Sequence, residues 1–217
     1  MTLLYLLRHG AIDWPKADCF IGQTDAPLSS EGRLQANAWR NELQNVEFAA
    51  VWSSDLARAT ETAGIIFAGR TAGVRTCREL REIKLGEWDG LPRDCVRQSH
   101  PDLWRARGED LAGFRPPGGE SFRDLQQRVV PQIARIAEET QGTACIVTHA
   151  GVIRVLICHV LQMPLTNLFR IRLDYGSVSI ISYSPERVEV CALNLRPSNL
   201  IRSPGGEIGG PHDPAHV

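Results

Sequence analysis

The hydrophobic positions of this chain fall into short apolar runs that alternate with helical periods. The first run, Leu3 to Leu7, is too short to cross a membrane and reads as a buried strand that stops at Arg8-His9-Gly10. A polar, turn-rich loop follows from Ala11 to Leu28. Ser29 then offers an N-cap, with Glu31 in the first turn, for a helix carrying Ala36, Trp39 and Leu43 on one face. Phe48 to Trp52 reads as a second strand and Val74 to Cys77 as a third. Between them Ser53-Ser54-Asp55 offers caps for a helix whose apolar face is Leu56, Ala59, Ala63 and Ile66. From Glu79 to Gly119 the periodicity is weak and Gly, Pro, Trp and charge are frequent, which predicts loops and short helices laid over a site as a lid.

The longest predicted helix carries Phe122, Leu125, Val129, Ile133 and Ile136 at spacings of three and four. Thr143 to Thr148 then repeats the design of the first strand and ends at His149-Ala150-Gly151. Val152, Val155, Leu156 and His159 mark the next helix, with His159 read as a core histidine on its apolar face. Val178 to Tyr183 and Arg187 to Leu195 read as closing strands around Ser184-Pro185-Glu186. Without an internal repeat or interdomain linker, the pattern predicts a single α/β domain over residues 1–196: a three-layer α/β/α arrangement with a mostly parallel central sheet. From Pro197 to Val217, Pro, Gly and His replace periodic apolar residues, and a disordered tail is expected.

Composition narrows the function. A 43% hydrophobic content over 217 residues suffices for a core, while 24 basic and 25 acidic side chains give a net charge of −1 with no basic block. No nucleic-acid partner and no membrane are expected, so any anion site must be local. The six cysteines form no C-x-x-C pair, and no signal-like segment opens the chain. They read as reduced thiols of a cytoplasmic protein, a monomer or homodimer, with no metal site.

The chemistry gathers at strand ends. His9 and His149 each follow directly on a buried strand, and Arg58 lies near the start of the helix after a third, so all three converge on the edge where α/β sheets place ligands. Gly10 leaves room there for backbone to approach a ligand. With Arg8, two guanidinium forks and two imidazoles beside a helix N-terminus match a tetrahedral dianion, for which phosphate is the natural guest. A leaving oxygen needs a proton donor. The carboxylate best placed in the lid is Glu82, with Glu87 and Asp89 as competitors. Trp88 and Trp104 are expected to pack the lid, Trp14 to form a substrate wall, and His100, His212 and His216 to lie on the surface.

At this point the chain resembles the histidine phosphatase superfamily, the fold shared by phosphoglycerate mutases and many small phosphatases. The resemblance rests on Leu7-Arg8-His9-Gly10, Pro27 to Gly32 with Gln35-Ala36, Ser53 to Thr62, Glu82 to Gly90, Pro117-Gly118-Gly119-Glu120-Ser121 and Val147 to Gly151, in the family's order over residues 2 to 195. It implies a phosphoglycerate mutase-like fold and a phosphomonoesterase without cofactor or metal. His9 would be the nucleophile that becomes phosphohistidine; Arg8, Arg58 and His149 would hold the phosphoryl oxygens; Glu82 would protonate the leaving alcohol and then activate water. Such a nucleophile needs its other ring nitrogen held, for which a backbone carbonyl near Gly10 is expected.

The chain departs from the family pattern at Ala11-Ile12-Asp13-Trp14-Pro15, where Pro15 stands near a usual Asn phosphate ligand, so one ligand is missing or replaced. Gln162-Met163-Pro164 and Phe169 to Ser177 resemble the α-ribazole phosphatase branch of cobalamin synthesis. The short stretch before Pro117 lacks the longer insertion of the mutases, which favours hydrolysis over transfer back. The expected substrate is a small phosphate monoester, α-ribazole 5′-phosphate first. The alternatives are a broad-specificity histidine phosphatase, a phosphoglycerate mutase, or a non-catalytic module that binds a phosphorylated ligand.

Overall fold

A computed structural model describes residues 1–14 and 18–198 of the chain. Pro15 and, from residue 199 onward, the expected tail lie outside the described residues. Among those described, six strands form one sheet: β1 (Thr2–Arg8), β2 (Ala50–Ser53), β3 (Val74–Thr76), β4 (Thr143–Thr148), β5 (Val178–Tyr183) and β6 (Val188–Leu195). Their spatial order is β3-β2-β4-β1-β5-β6. β3, β2, β4 and β1 run parallel, β5 runs antiparallel to β1, and β6 returns antiparallel to β5. Six α-helices accompany them: α1 (Ser30–Glu42), α2 (Ala57–Ile66), α3 (Arg93–Ser99), α4 (Pro101–Glu109), α5 (Phe122–Glu139) and α6 (Ala150–Val160).

Alternation along the central strands builds the layers. Leu4 and Leu6 of β1 and Ala144 and Ile146 of β4 pack with α5 and α6, whereas Leu7, Cys145 and Val147 pack with α1 and α2 on the other face. Parallel strands covered on both faces read as unbroken apolar runs for this reason. The register matters for function. Because Leu3 pairs with Thr143 and Arg8 with Thr148, β1 and β4 end level, and His9 and His149 leave the sheet side by side.

Ser29 caps α1 as expected, its side chain accepting from the Gly32 N–H at 3.1 Å. The start of α2 differs from the expectation. Ser53 is the last residue of β2, Asp55 is gripped by Arg81 at 2.6 and 2.7 Å, and Leu56 occupies the cap position. The first helical N–H, that of Ala57, donates instead to Asp25 of the preceding loop at 2.9 Å. His159 is a second correction. It is exposed, while Cys158 before it is buried and Val160 after it still packs on the core. The segment predicted as a lid carries α3, α4 and a 3₁₀ turn at Gly86–Trp88, and Trp88 is buried between Phe20 and Phe114. Trp104 meets the edge of Phe20.

Candidate active site

His9 stands one residue past β1, where its N–H continues the ladder to the Thr148 carbonyl at 3.0 Å. Its ring is buried, and Nδ1 lies 2.8 Å from the Gly10 carbonyl oxygen. A carbonyl only accepts, so Nδ1 carries the proton and Nε2 keeps its lone pair. Arg58 Nε donates to that lone pair at 3.2 Å. Burial, with the charges of Arg58 and Arg8, holds the His9 pKa well below the ordinary imidazole value, so the ring is neutral. The backbone carbonyl expected near Gly10 is the one found. Gly10 itself is required for a different reason from the one expected: a Cβ there would stand 2.5 Å from the Gly32 carbonyl oxygen, where the first turn of α1 packs on this loop.

The cations are fixed by backbone carbonyls. Arg58, second residue of α2 and fully buried, donates to the Thr24 and Gly22 carbonyls at 2.8 and 2.7 Å. Arg8 ends β1, donates to the Leu173 carbonyl at 2.5 Å and lies 3.8 Å from the centre of the Tyr175 ring. His149 is fully buried, its ring centre 5.0 Å from that of His9 and its Nε2 2.8 Å from the Ser54 hydroxyl. Burial first, then Arg58, keeps His149 neutral as well. Arg8 Nε and His149 Nδ1 are buried without a partner among the described residues, and buried polar atoms of this kind call for an explanation. The structure therefore brings together His9, Arg8, Arg58 and His149.

Glu82 reaches the same place from the lid. One carboxylate oxygen accepts from the Gly151 N–H, in the first turn of α6, at 3.0 Å; the other accepts from the Ile83 N–H at 2.9 Å. A helix N-terminus suits a carboxylate, and Gly151 lies two residues after His149. Its competitors are placed otherwise. Glu87 is exposed. Asp89 accepts from the Gln23 N–H at 3.0 Å and clamps loop to lid, with burial raising its pKa. Asp13 is exposed, and Trp14 lies against Gly90 of the lid.

Ser54 and Tyr175 were missed by the sequence reading. Ser54 carried a signal, since the first residue after β2 shares the sheet edge with the residues following β1 and β4. Tyr175 arrives just before β5, whose antiparallel direction places its beginning at the edge where the parallel strands end.

Residues 4–196 match the model of the histidine phosphatase superfamily (branch 1). The adenosylcobalamin/alpha-ribazole phosphatase of Escherichia coli (strain K12) is 30% identical over 194 residues, covering 89% of this chain and 96% of that protein. The alpha-ribazole phosphatase of Shigella flexneri superposes with a TM-score of 0.82 at 31% identity, covering 89% of this chain and 96% of that one. A mycobacterial glucosyl-3-phosphoglycerate phosphatase superposes with a TM-score of 0.78 at 30% identity, over 89% and 99% of the two chains.

Proposed function

Because this chain belongs to the histidine phosphatase superfamily (branch 1), we propose that its phosphatase chemistry runs through phospho-His9. The observation that carries this reading is the Nδ1 bond to the Gly10 carbonyl, which leaves a neutral Nε2 lone pair in a buried, cationic pocket. A phosphoryl oxygen takes over the Arg58 Nε donor, and Arg8 and His149 hold the remaining oxygens through the atoms that have no partner among the described residues. Nε2 attacks phosphorus in line. The ester P–O bond breaks, its electron pair goes to the leaving oxygen, and Glu82 delivers the proton. Water then attacks the phosphohistidine while the Glu82 carboxylate removes its proton, and phosphate departs with Nε2 restored.

The substrate we propose is α-ribazole 5′-phosphate or a closely similar nucleotide-like phosphomonoester. The names of the Escherichia coli and Shigella flexneri relatives support it, as does the resemblance of Gln162 to Ser177 to that branch. Among the described residues no helix is long and apolar enough to cross a membrane.

Phosphate release from p-nitrophenyl phosphate in the presence of chelator, with detection of the phosphoenzyme after an alkaline quench, tests the chemistry. Wild type should release phosphate and form a base-stable, acid-labile adduct that His9→Ala does not form. Activity lost with chelator, or unchanged in His9→Ala, overturns it, and tight phosphate binding without an adduct identifies a binding module. For the substrate, kcat/KM for α-ribazole phosphate should exceed that for phosphoglycerates and aryl phosphates by orders of magnitude, since contacts to the non-reacting part appear in kcat/KM. Comparable values across the panel remove this substrate and leave the chemistry standing.

A further inference from the structure

Glu82 sits on a stretch that forms neither helix nor strand, so something other than a ladder must hold its backbone. Residues 81–85 follow the 3₁₀ turn at Arg78–Leu80 and precede the one at Gly86–Trp88. Arg128, on the second turn of α5, grips this stretch. Nη1 donates to the Glu79 carbonyl at 2.6 Å and the Arg81 carbonyl at 3.1 Å, and Nη2 donates to the Glu82 carbonyl at 3.3 Å. Glu120 completes the grip from the turn before α5. Its carboxylate accepts from Arg128 Nε and Nη2, both at 2.9 Å, and from the Lys84 N–H at 2.9 Å. The Glu120 N–H in turn donates to the Lys84 carbonyl at 2.7 Å. Two further side chains finish the hold: Thr148 donates to the Leu80 carbonyl at 2.7 Å and Gln23 to the Glu82 carbonyl at 3.0 Å.

The donor count of Arg128 decides its role. A guanidinium has five N–H groups, and the bonds to Glu120 and to the three carbonyls use all of them. None is left for a substrate. We propose that Arg128 and Glu120 are positioning residues that set the carboxyl of Glu82 against the leaving oxygen, acting through the backbone of residues 79–84. The inference rests on the reading of Glu82 as the proton donor. A proton transfer tolerates only fractions of an ångström of misplacement, and Glu82 has no regular element of its own to supply that accuracy.

Leaving-group dependence tests it. An aryl leaving group such as p-nitrophenolate departs without a proton, whereas an alkoxide from 2-phenylethyl phosphate needs one. Single-turnover phosphoenzyme formation is compared for the two esters in wild type, Glu82→Gln, Arg128→Lys, Arg128→Met, Glu120→Gln and the double variant Glu82→Gln with Arg128→Met. Glu82→Gln should slow the alkyl ester by ~100-fold more than the aryl ester. Arg128→Lys and Arg128→Met should each show a selective loss of at least about tenfold, and Glu120→Gln a smaller one of the same sign. In the double variant, removal of Arg128 should add no further selective loss, because it acts through a group already gone. Should Arg128→Met fail to fold by circular dichroism, Arg128→Lys and Glu120→Gln decide by the same comparison. Selectivity in Glu82→Gln with equal losses on both esters in the Arg128 and Glu120 variants overturns this inference alone. Absence of selectivity in Glu82→Gln overturns the proton-donor reading and this inference with it.

Discussion

The position of the proton on His9 follows from one backbone carbonyl, and the position of the Glu82 carboxyl follows from one missing Cβ. At Gly151 a methyl group would stand 2.2 Å from a Glu82 carboxylate oxygen, so any other residue there must push the acid away. Gly151→Ala is expected to lower kcat/KM for alkyl phosphates by ~100-fold, the usual cost of displacing a reacting group by about 1 Å. Alanine within a helix is favoured over glycine by roughly 1 kcal/mol, so the melting temperature should not fall with the activity. A parallel loss of stability and rate would assign the effect to packing instead. Arg58 makes a second case, because its Nε and both Nη atoms have separate partners at the site. Arg58→Lys keeps the charge but not the fork, and should cost about 3 kcal/mol of transition-state stabilisation, read as a fall in kcat for phosphoenzyme formation.

Helix α2 and the loop before α1 hold each other in place. Arg58 binds the carbonyls of Gly22 and Thr24, while Asp25 accepts the Ala57 N–H at the head of the same helix. Asp25→Ala therefore removes a helix cap and one tether of the loop that orients Arg58 together. Urea unfolding should show a loss of about 1 kcal/mol. Competitive inhibition by inorganic phosphate should weaken in the same variant, since the carbonyls that orient Arg58 lose their anchor. Asp25→Asn, which keeps the acceptor oxygen, should restore most of both. Unchanged phosphate affinity in Asp25→Ala would separate the cap from the site.

Across the whole molecule, two neutral histidines are buried at the end of the sheet, and this couples the site to folding. Burial, aided by Arg58, lowers both pKa values in the native state, whereas the unfolded chain titrates near the ordinary imidazole value of about 6.5. Below that pH the unfolded state binds protons that the native state refuses. Stability is thus fully present above about pH 6.5 and is lost as pH falls toward the native values, by up to about 1.4 kcal/mol per histidine per pH unit. Urea unfolding at pH 7 and pH 5.5 should show this decline. Replacing His149 by Gln should flatten it. An equally steep decline in that variant would show that other groups control acid stability.

Local pattern was enough to place His9, Arg58 and His149 at one edge. An apolar run that stops at a histidine is visible in the chain itself, and parallel strands necessarily bring their carboxyl ends together, so the three-layer fold and the meeting of these side chains were both readable. So was the need for a carbonyl beside His9, since a nucleophilic imidazole must have its other nitrogen held. What escaped the reading depends on partners distant along the chain. Tyr175 reaches Arg8 through the antiparallel pairing of β5 with β1, Asp25 caps a helix that begins 32 residues later, and Arg128 holds carbonyls 46 to 49 residues away. His159 was misjudged because helical periodicity identifies a face but not which of its positions are covered. Periodicity and turn chemistry act over a few residues, whereas strand register and helix docking choose which distant groups meet, and those choices emerge only when the whole core packs.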